Sequence, residues 1–297
     1  MPTIALVTAR AARGLDDDLS PLQTALQDAG ANVSIVDWDD ASADWGRFDL
    51  ALLRSTWDYT DRLAEFLGWA QRVGSQTHLL NPVEVVRWNT DKHYLRDLAK
   101  AGVATVPSEF IEPGQNAAAE LDRFQVSHDG EFVVKPAIGA GSRDAQRYMR
   151  TQRDPALVHV QRLLDAGRSV LLQPYLERVD EHGETALIYF GGVFSHAIRK
   201  GPLLKRDEGP TRALFAAEHI SARVAEPEEL HLAGQTLAAI PFAQPLTYAR
   251  VDLIRDARHA PRVLELELTE PSLFFAHAPG SAQRFAKAVL ARCVYVL

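Results

Sequence analysis

The run Phe132-Val133-Val134-Lys135-Pro136, followed by Ala137-Ile138-Gly139-Ala140-Gly141-Ser142-Arg143, has the residue types of a phosphate site. A β-branched stretch predicts a buried strand, and the small residues after the proline predict a loop. Small residues at Gly139, Gly141 and Ser142 let backbone N–H groups converge on phosphate oxygens, while Lys135 supplies a positive charge beside them. The spacing differs from the P-loop pattern of glycine, four residues, then Gly-Lys-Ser/Thr, so another phosphate-binding architecture is implied. Taken alone, the same residues also suit a plain hairpin loop.

A second set of residues points to a metal. Asp252 lies in Ala249-Arg250-Val251-Asp252-Leu253-Ile254, and Glu265 and Glu267 lie in Val263-Leu264-Glu265-Leu266-Glu267-Leu268. Strand alternation puts Glu265 and Glu267 on one face, and Arg250 with Asp252 on one face. If the two strands pair, three carboxylates and an arginine share one side of an apolar sheet. Such carboxylates repel one another, and a multivalent cation relieves the repulsion; hard oxygen ligands near nucleotide phosphates favour Mg2+. The alternative is an exposed charged face. Glu270, in a turn before Pro271, is a weaker candidate ligand.

Three further segments complete the inventory. Gln173-Pro174-Tyr175-Leu176 ends a strand at a rigid turn, and Glu184 opens another strand; an apolar pocket with a carboxylate suits an adenine ring and a ribose diol, or equally a hairpin with a solvated acid. Arg199 and Lys200 end the strand that contains His196; they suit phosphate, although exposed basic residues at strand ends are common, and His196 reads as a sheet residue. The hexapeptide Arg54-Ser55-Thr56-Trp57-Asp58-Tyr59 follows a strand, where ligands bind in open α/β sheets. Arg54 could pair with a carboxylate, Asp58 with an ammonium, and Trp57 or Tyr59 could wall the pocket, the groups an amino acid needs. The alternative is a surface loop with a packing tryptophan.

The elements that must position these residues read in two styles. Strands at 3–8, 32–37, 48–53 and 78–80 alternate with helices at 19–29 and 60–73, which predicts a parallel sheet with helices on both faces. The first strand-to-helix loop, Thr8 to Gly14, lacks the glycine triplet of a dinucleotide site, so this Rossmann-like unit is not expected to hold NAD. From Asn89 a helix at 91–101 precedes strands at 109–111 and 132–135 and a helix at 156–165. Beyond Ser169 strands dominate, at 169–173, 185–190, 193–199, 247–254 and 262–268, with helices at 227–239 and 282–296. Residues 200–212, rich in Gly, Pro and mixed charge, read as a mobile loop. The expected class is α/β, turning α+β in the C-terminal part, in three units: 1–88, 89–170 and 171–297.

Composition narrows the partners. With 297 residues, 46% hydrophobic and 24% charged, the chain suits two or three packed units of ordinary globular character. A net charge of -7 and no dense Lys/Arg tract argue against a nucleic-acid partner. The 10 histidines are scattered away from zinc-ligand spacing, and the single cysteine, Cys293, excludes an intrachain disulfide and fits a reducing cytoplasm. No signal-peptide pattern opens the chain and no apolar stretch reaches membrane-spanning length, so a cytoplasmic location without a membrane partner is expected. The oligomeric state stays open, a homodimer included.

Taken in order from Asn89 to the C-terminus, these motifs resemble the ATP-grasp superfamily, and the upstream unit resembles its pre-ATP-grasp domain. The resemblance implies that Lys92 and Lys135 are the two nucleotide lysines, with Gly139 to Arg143 closing over the phosphates. Gln173 to Leu176 would be the adenine hinge and Glu184 the ribose acid. Lys200, or Arg199 if the register slips by one, would hold phosphate, and Arg250 would steady an acyl-phosphate oxyanion. Asp252, Glu265 and Glu267 would hold metal. The superfamily's Glu-x-Asn pair appears as Glu265-Leu266-Glu267, which leaves open which acid bridges two metals. The implied activity is ATP- and Mg2+-dependent ligation of a small amino-acid carboxylate to a nitrogen, through an acyl-phosphate. Arg54 to Tyr59, Glu265 to Leu268 and Pro271-Ser272-Leu273-Phe274 are similar to a small branch of these ligases that includes ring closure of O-ureido-D-serine to D-cycloserine. Three alternatives remain: a dipeptide ligase joining two amino acids, an ATP-binding regulator without turnover, and phosphotransfer to a hydroxyl or an enzyme residue from the same ATP cradle. Against the regulator stand Lys92, Lys135, Arg250, Asp252 and Glu265, a fuller metal and phosphate set than binding alone requires.

Overall fold

The structure, a computed structural model, describes residues 1–206, 208–210, 219–243 and 245–293. Its first unit contains β1 (Thr3–Thr8), α1 (Leu19–Asp28), β2 (Asn32–Asp37), β3 (Leu50–Ser55), α2 (Leu63–Gly74) and β4 (His78–Leu80). The strands pair in parallel in the order β2-β1-β3-β4. Alternation along β1 sends Ile4 and Leu6 to pack with Leu22 and Leu26 of α1, and Ala5 and Val7 to pack with Phe66 and Trp69 of α2. Both faces are therefore covered, as parallel sheets require. The helix expected from residue 60 starts at Leu63, because Trp57–Asp61 winds into a 3-10 turn first.

The middle of the chain contributes α3 (Val83–Asn89), α4 (Tyr94–Lys100), β5 (Glu109–Ile111), α5 (Ala117–Ser127), β6 (Phe132–Pro136), β7 (Gln146–Tyr148), α6 (Arg153–Asp165) and β8 (Val170–Pro174). Its antiparallel sheet runs β5-β8-β6-β7, with Phe124, Val160 and Leu163 packed against Phe132 and Val134. The last part contributes α7 (Val179–His182), β9 (Glu184–Phe190), β10 (Val193–Lys200), β11 (Ile220–Arg223), α8 (Pro227–Ala238), β12 (Tyr248–Arg255), β13 (Pro261–Glu267) and α9 (Ser281–Cys293). Its antiparallel sheet has the order β11-β10-β9-β12-β13. Gly191 and Gly192, both at positive φ (56° and 82°), make the two-residue turn between β9 and β10. Of the loop expected at 200–212, Lys200 belongs to β10, while 207, 211 and 212 lie outside the described residues, as do 294–296 of the C-terminal helix.

The first and third sheets meet in one apolar core. Tyr248 of β12 and Phe285 of α9 sit among Leu6, Leu22 and Leu80. Asn81, wholly buried, staples the joint: its Nδ2 donates to Tyr248 O at 3.0 Å and Leu268 O at 2.9 Å, and its Oδ1 accepts from Thr247 N at 3.0 Å. Asn89 does the same for β13, with Nδ2 donating to Leu266 O at 2.8 Å and Oδ1 accepting from Leu268 N at 2.6 Å. These side chains fix where β12 and β13 present their acids. No helix among the described residues is long and apolar enough to cross a membrane.

Candidate active site

β12 and β13 pair so that Arg250 faces Glu267 and Asp252 faces Glu265. Oxygen atoms of Asp252, Glu265 and Glu267 lie within 4.8 Å of one another. A bulge follows, because Leu253 pairs with Val263, and the extra residue Leu264 lines the same cleft as Glu265. That donor set, all hard oxygen and closely spaced, fits Mg2+.

Protein cations neutralise these acids. Arg250 Nε donates to Asp252 Oδ1 and its Nη2 to Asp252 Oδ2, each at 2.8 Å, and Nη2 also donates to Glu267. Lys200 Nζ reaches Asp252 Oδ2 at 2.7 Å and Glu184 Oε1 at 2.5 Å. Lys92 Nζ reaches Glu265 Oε1 and the Gly139 carbonyl, each at 2.7 Å. Burial alone would raise the Asp252 carboxyl, but Arg250 and Lys200 outweigh it and hold the group well below the usual carboxylate range. Glu265 is held low against its burial by Lys92 and Lys135. Glu267 goes the other way: burial, joined by repulsion from Glu265 and Asp252, outruns Arg250 and pushes it up to about 7. Arg250 is shared between Asp252 and Glu267, so Glu267 is the acid least compensated.

Lys135, on β6, faces the same cleft. Burial and the neighbouring charges of Lys92 and Lys200 outweigh Glu265 and Glu184 and bring its ammonium down to about 8. A buried ammonium short of counter-charge is suited to an anionic ligand. The loop at Gly139, Gly141 and Ser142 lies over it, lining the cleft, with Gly141 and Ser142 in left-handed backbone at φ 59° and 58°. Arg143 ties this loop to the first unit through Asp61, with Nη2 to Oδ2 at 2.6 Å.

At the far end Gln173, Tyr175 and Leu176 line the cleft with Val179, Leu203 and Ile254. Gln173 is held by Ser108, to whose Oγ its Nε2 donates at 2.9 Å. The Tyr175 ring is covered by Arg147, 3.5 Å from guanidinium carbon to centroid, and its hydroxyl donates to Asp180 at 2.5 Å. Glu184 lines the same cleft and pairs with Lys200. Gly183, at φ 70°, leaves no room for a side chain, since a Cβ there would come within 2.3 Å of Lys200 O. That close approach brings Glu184 and Lys200 together.

Several expected site residues are placed elsewhere. Arg199 alternates away from Lys200 and caps α7 instead, its Nε donating to His182 O at 2.6 Å and Nη2 to Glu181 O at 2.9 Å. Of the hexapeptide, Trp57 and Tyr59 line the cleft. Arg54 is buried behind it, with Nη2 donating to Pro271 O at 3.0 Å and approaching Asp18 at 4.0 Å, so it does not pair with a substrate carboxylate. Asp18 accepts from the backbone N–H groups of Leu273, Phe274 and Phe275. Together they hold the turn carrying Glu270 and Ser272 into the cleft, and Phe274 there adopts left-handed backbone at φ 54°. Asp58 accepts from Trp38 Nε1 at 2.8 Å and pairs with Arg62 at 3.7 Å, away from the cleft. Ser55 hydrogen-bonds Thr8 at 2.8 Å, and Thr56 is wholly buried. Residues not singled out by the sequence also line the cleft, among them Asn89, Leu203, Ile254 and Ser272.

This architecture has known counterparts. The cycloserine biosynthesis protein DcsG of Streptomyces lavendulae is 42% identical over 298 residues, covering 98% of this chain and 99% of that protein. The chain belongs to the DcsG family. Residues 4–81 match the family described as D-cycloserine synthetase DcsG, N-terminal domain. The crystal structure of D-cycloserine synthetase DcsG superposes with a TM-score of 0.92 at 42% identity, covering 98% of this chain and 99% of that one. Two more distant structures share the fold: the ATP-grasp ligase PsnB with its minimal precursor (TM-score 0.67, 17% identity, 98% and 99% coverage) and a D-alanine–D-alanine ligase from Bacillus anthracis (0.69, 14%, 100% and 98%). PsnB has also been solved with Mg and ADP. The DcsG-family chain described here therefore has a mixed α/β fold shared with these ATP-grasp ligases.

Proposed function

We propose that this chain uses Mg2+ and ATP to activate the carboxylate of O-ureido-D-serine as an acyl-phosphate, which the substrate's own ureido nitrogen attacks to close the ring of D-cycloserine. The observation carrying this reading is full-length identity of 42% to a cycloserine biosynthesis protein, joined to the facing pairs Arg250/Glu267 and Asp252/Glu265. Adenine fits the apolar end beside Gln173, Tyr175 and Leu176, with Glu184 toward the ribose. Lys92, Lys135 and the backbone of Gly139 to Ser142 face the phosphates. Asp252, Glu265 and Glu267 would hold Mg2+, which supplies charge neutralisation to the transferring phosphoryl group when bound. Lys200, which pairs with Glu184 and Asp252, would hold phosphate beside the metal acids.

Arg250 orients the reaction. Its guanidinium lies against Asp252 and Glu267, and Nη1 donates to Ser272 O at 3.0 Å, so its position is fixed before substrate arrives. A fixed cation beside the acyl carbon stabilises the oxyanion that forms when nitrogen attacks, without rearranging during the reaction. The bond formed is carbon–nitrogen; the bond broken joins that carbon to the phosphate oxygen, inorganic phosphate leaves and the attacking nitrogen gives its proton to solvent. Water then cleaves the carbamoyl group from that nitrogen, releasing CO2 and ammonia and leaving the D-cycloserine ring. The domain arrangement offered for this reaction is a substrate unit at 1–88 with ATP-grasp halves at 89–170 and 171–297. The test is coupled ADP release with Mg2+-ATP across single D- and L-amino acids and O-ureido-D-serine. Turnover with O-ureido-D-serine alone, yielding free phosphate and the ring, supports the reading. Silence until a second amino acid is added moves the chain to a dipeptide ligase.

A further inference from the structure

We propose that Glu270 receives the α-ammonium of the amino-acid substrate, at an end of the cleft walled by Trp57 and Tyr59. The inference rests on the amino-acid ligase reading above and names the residue that recognises the substrate's positive group. Every other carboxylate at the cleft is already engaged by a protein cation: Asp252 by Arg250 and Lys200, Glu267 by Arg250, Glu265 by Lys92 and Glu184 by Lys200. Among the described residues no lysine, arginine or histidine forms an ion pair with Glu270. Its side chain is 9% exposed, lines the cleft and accepts a hydrogen bond from the neutral Tyr59 hydroxyl. A buried carboxylate facing a cavity without a cation has a cationic ligand as its natural complement.

Position supports the same reading. An α-amino acid carries its ammonium one carbon from the carboxylate, so the ammonium's receptor must adjoin the place where the carboxylate is activated. Glu270 adjoins Glu267, whose charge it feels, and Glu267 in turn pairs with Arg250. The first unit presents this end rigidly: Trp57 Nε1 donates to Glu270 O at 3.1 Å, and Arg54 holds the next carbonyl, Pro271 O. Burial, then repulsion from Glu267, pushes the empty Glu270 carboxyl up to about 8; an arriving ammonium restores its ionised form.

The test compares O-ureido-D-serine with its analogue lacking the α-amino group, by steady-state ADP release from the full chain at saturating Mg2+-ATP. The wild type is expected to favour the amino compound by about 100-fold in kcat/KM, the scale of a desolvated charge pair. In Glu270→Gln the amino compound loses about 100-fold, the two compounds converge to within about tenfold, and the KM for ATP stays put. Glu270→Asp regains part of the preference. The inference is overturned if Glu270→Gln lowers both compounds equally or neither, or if the wild type does not discriminate. If the wild type turns over neither compound, the ring-closure reading fails. Glu270 is then judged by calorimetry on the ADP-loaded protein: weaker binding of O-ureido-D-serine alone in Glu270→Gln supports it, and unchanged binding refutes it.

Discussion

Replacing Asp252 by Asn changes one charge and almost no volume, so its consequence can be worked from the hydrogen bonds. Asp252 is wholly buried and accepts three charge-assisted bonds, two from Arg250 at 2.8 Å and one from Lys200 at 2.7 Å. An Asn oxygen can replace Oδ1 toward Arg250 Nε, but its amide NH2 would point its hydrogens at Arg250 Nη2 and Lys200. Two charge-assisted bonds are lost, each worth about 1.5–3 kcal/mol. Arg250 keeps Glu267 and Lys200 keeps Glu184, which returns part of that, so a net cost of about 3 kcal/mol is expected. In a chain of 297 residues, with about 2.1 cal/mol/K of unfolding entropy per residue, that lowers Tm by roughly 5 °C. Thermal unfolding without nucleotide or metal reads this cost, and calorimetric titration of Mg2+ with ADP present reads the site itself. Asp252→Asn should also cut kcat at least about 100-fold, because a metal acid and the anchor of Arg250 go together. A variant that unfolds within 1 °C of wild type and keeps its turnover would refute the account of this cluster.

Two further outcomes follow from the same geometry. Lys135 in the free protein titrates at about 8, and polyphosphate favours its charged form, so ATP affinity should be full below that pH and fall as pH rises through it. Calorimetry of ATP binding from pH 6.5 to 9.5 should show this decline with proton uptake, and Lys135→Arg, whose guanidinium stays charged, should flatten it. Asn81→Ala removes three hydrogen bonds to buried backbone at the joint between the first and third sheets. It should cost about 3 kcal/mol in unfolding, read by thermal denaturation of the protein without nucleotide, and an unchanged Tm would contradict the assigned role of the joint.

The strands that carry the chemistry were legible because their alternation is strong. Asp252 and Glu265 face each other as the patterns of their strands require, once the strands pair. Lys200 rather than Arg199 enters the cleft, a choice that depends on register and was open in the sequence. Arg54 was misread because its partner, the carbonyl of Pro271, lies 217 residues away, and a local pattern does not distinguish an arginine bracing a distant turn from one awaiting a ligand. Asp58 was misread for the same reason, its partner being the indole of Trp38. Glu270 gained its place through Tyr59 and Trp57, both from the first unit, so a reading of the turn before Pro271 gave it little weight. α5, capped by Asn116 through Ala119 N at 3.0 Å, and the three-residue β7 escaped expectation. The first has its signal in Asn116 and the alanines after it; the second is too short to show a period.

The central claim is that a substrate carboxylate oxygen becomes a phosphate oxygen. O-ureido-D-serine labelled with 18O in its carboxylate, turned over with unlabelled Mg2+-ATP, tests it most directly. The account predicts one 18O in each inorganic phosphate released, with ADP unlabelled and the other 18O retained in the ring carbonyl. Phosphate free of 18O, or label appearing in AMP, would contradict it.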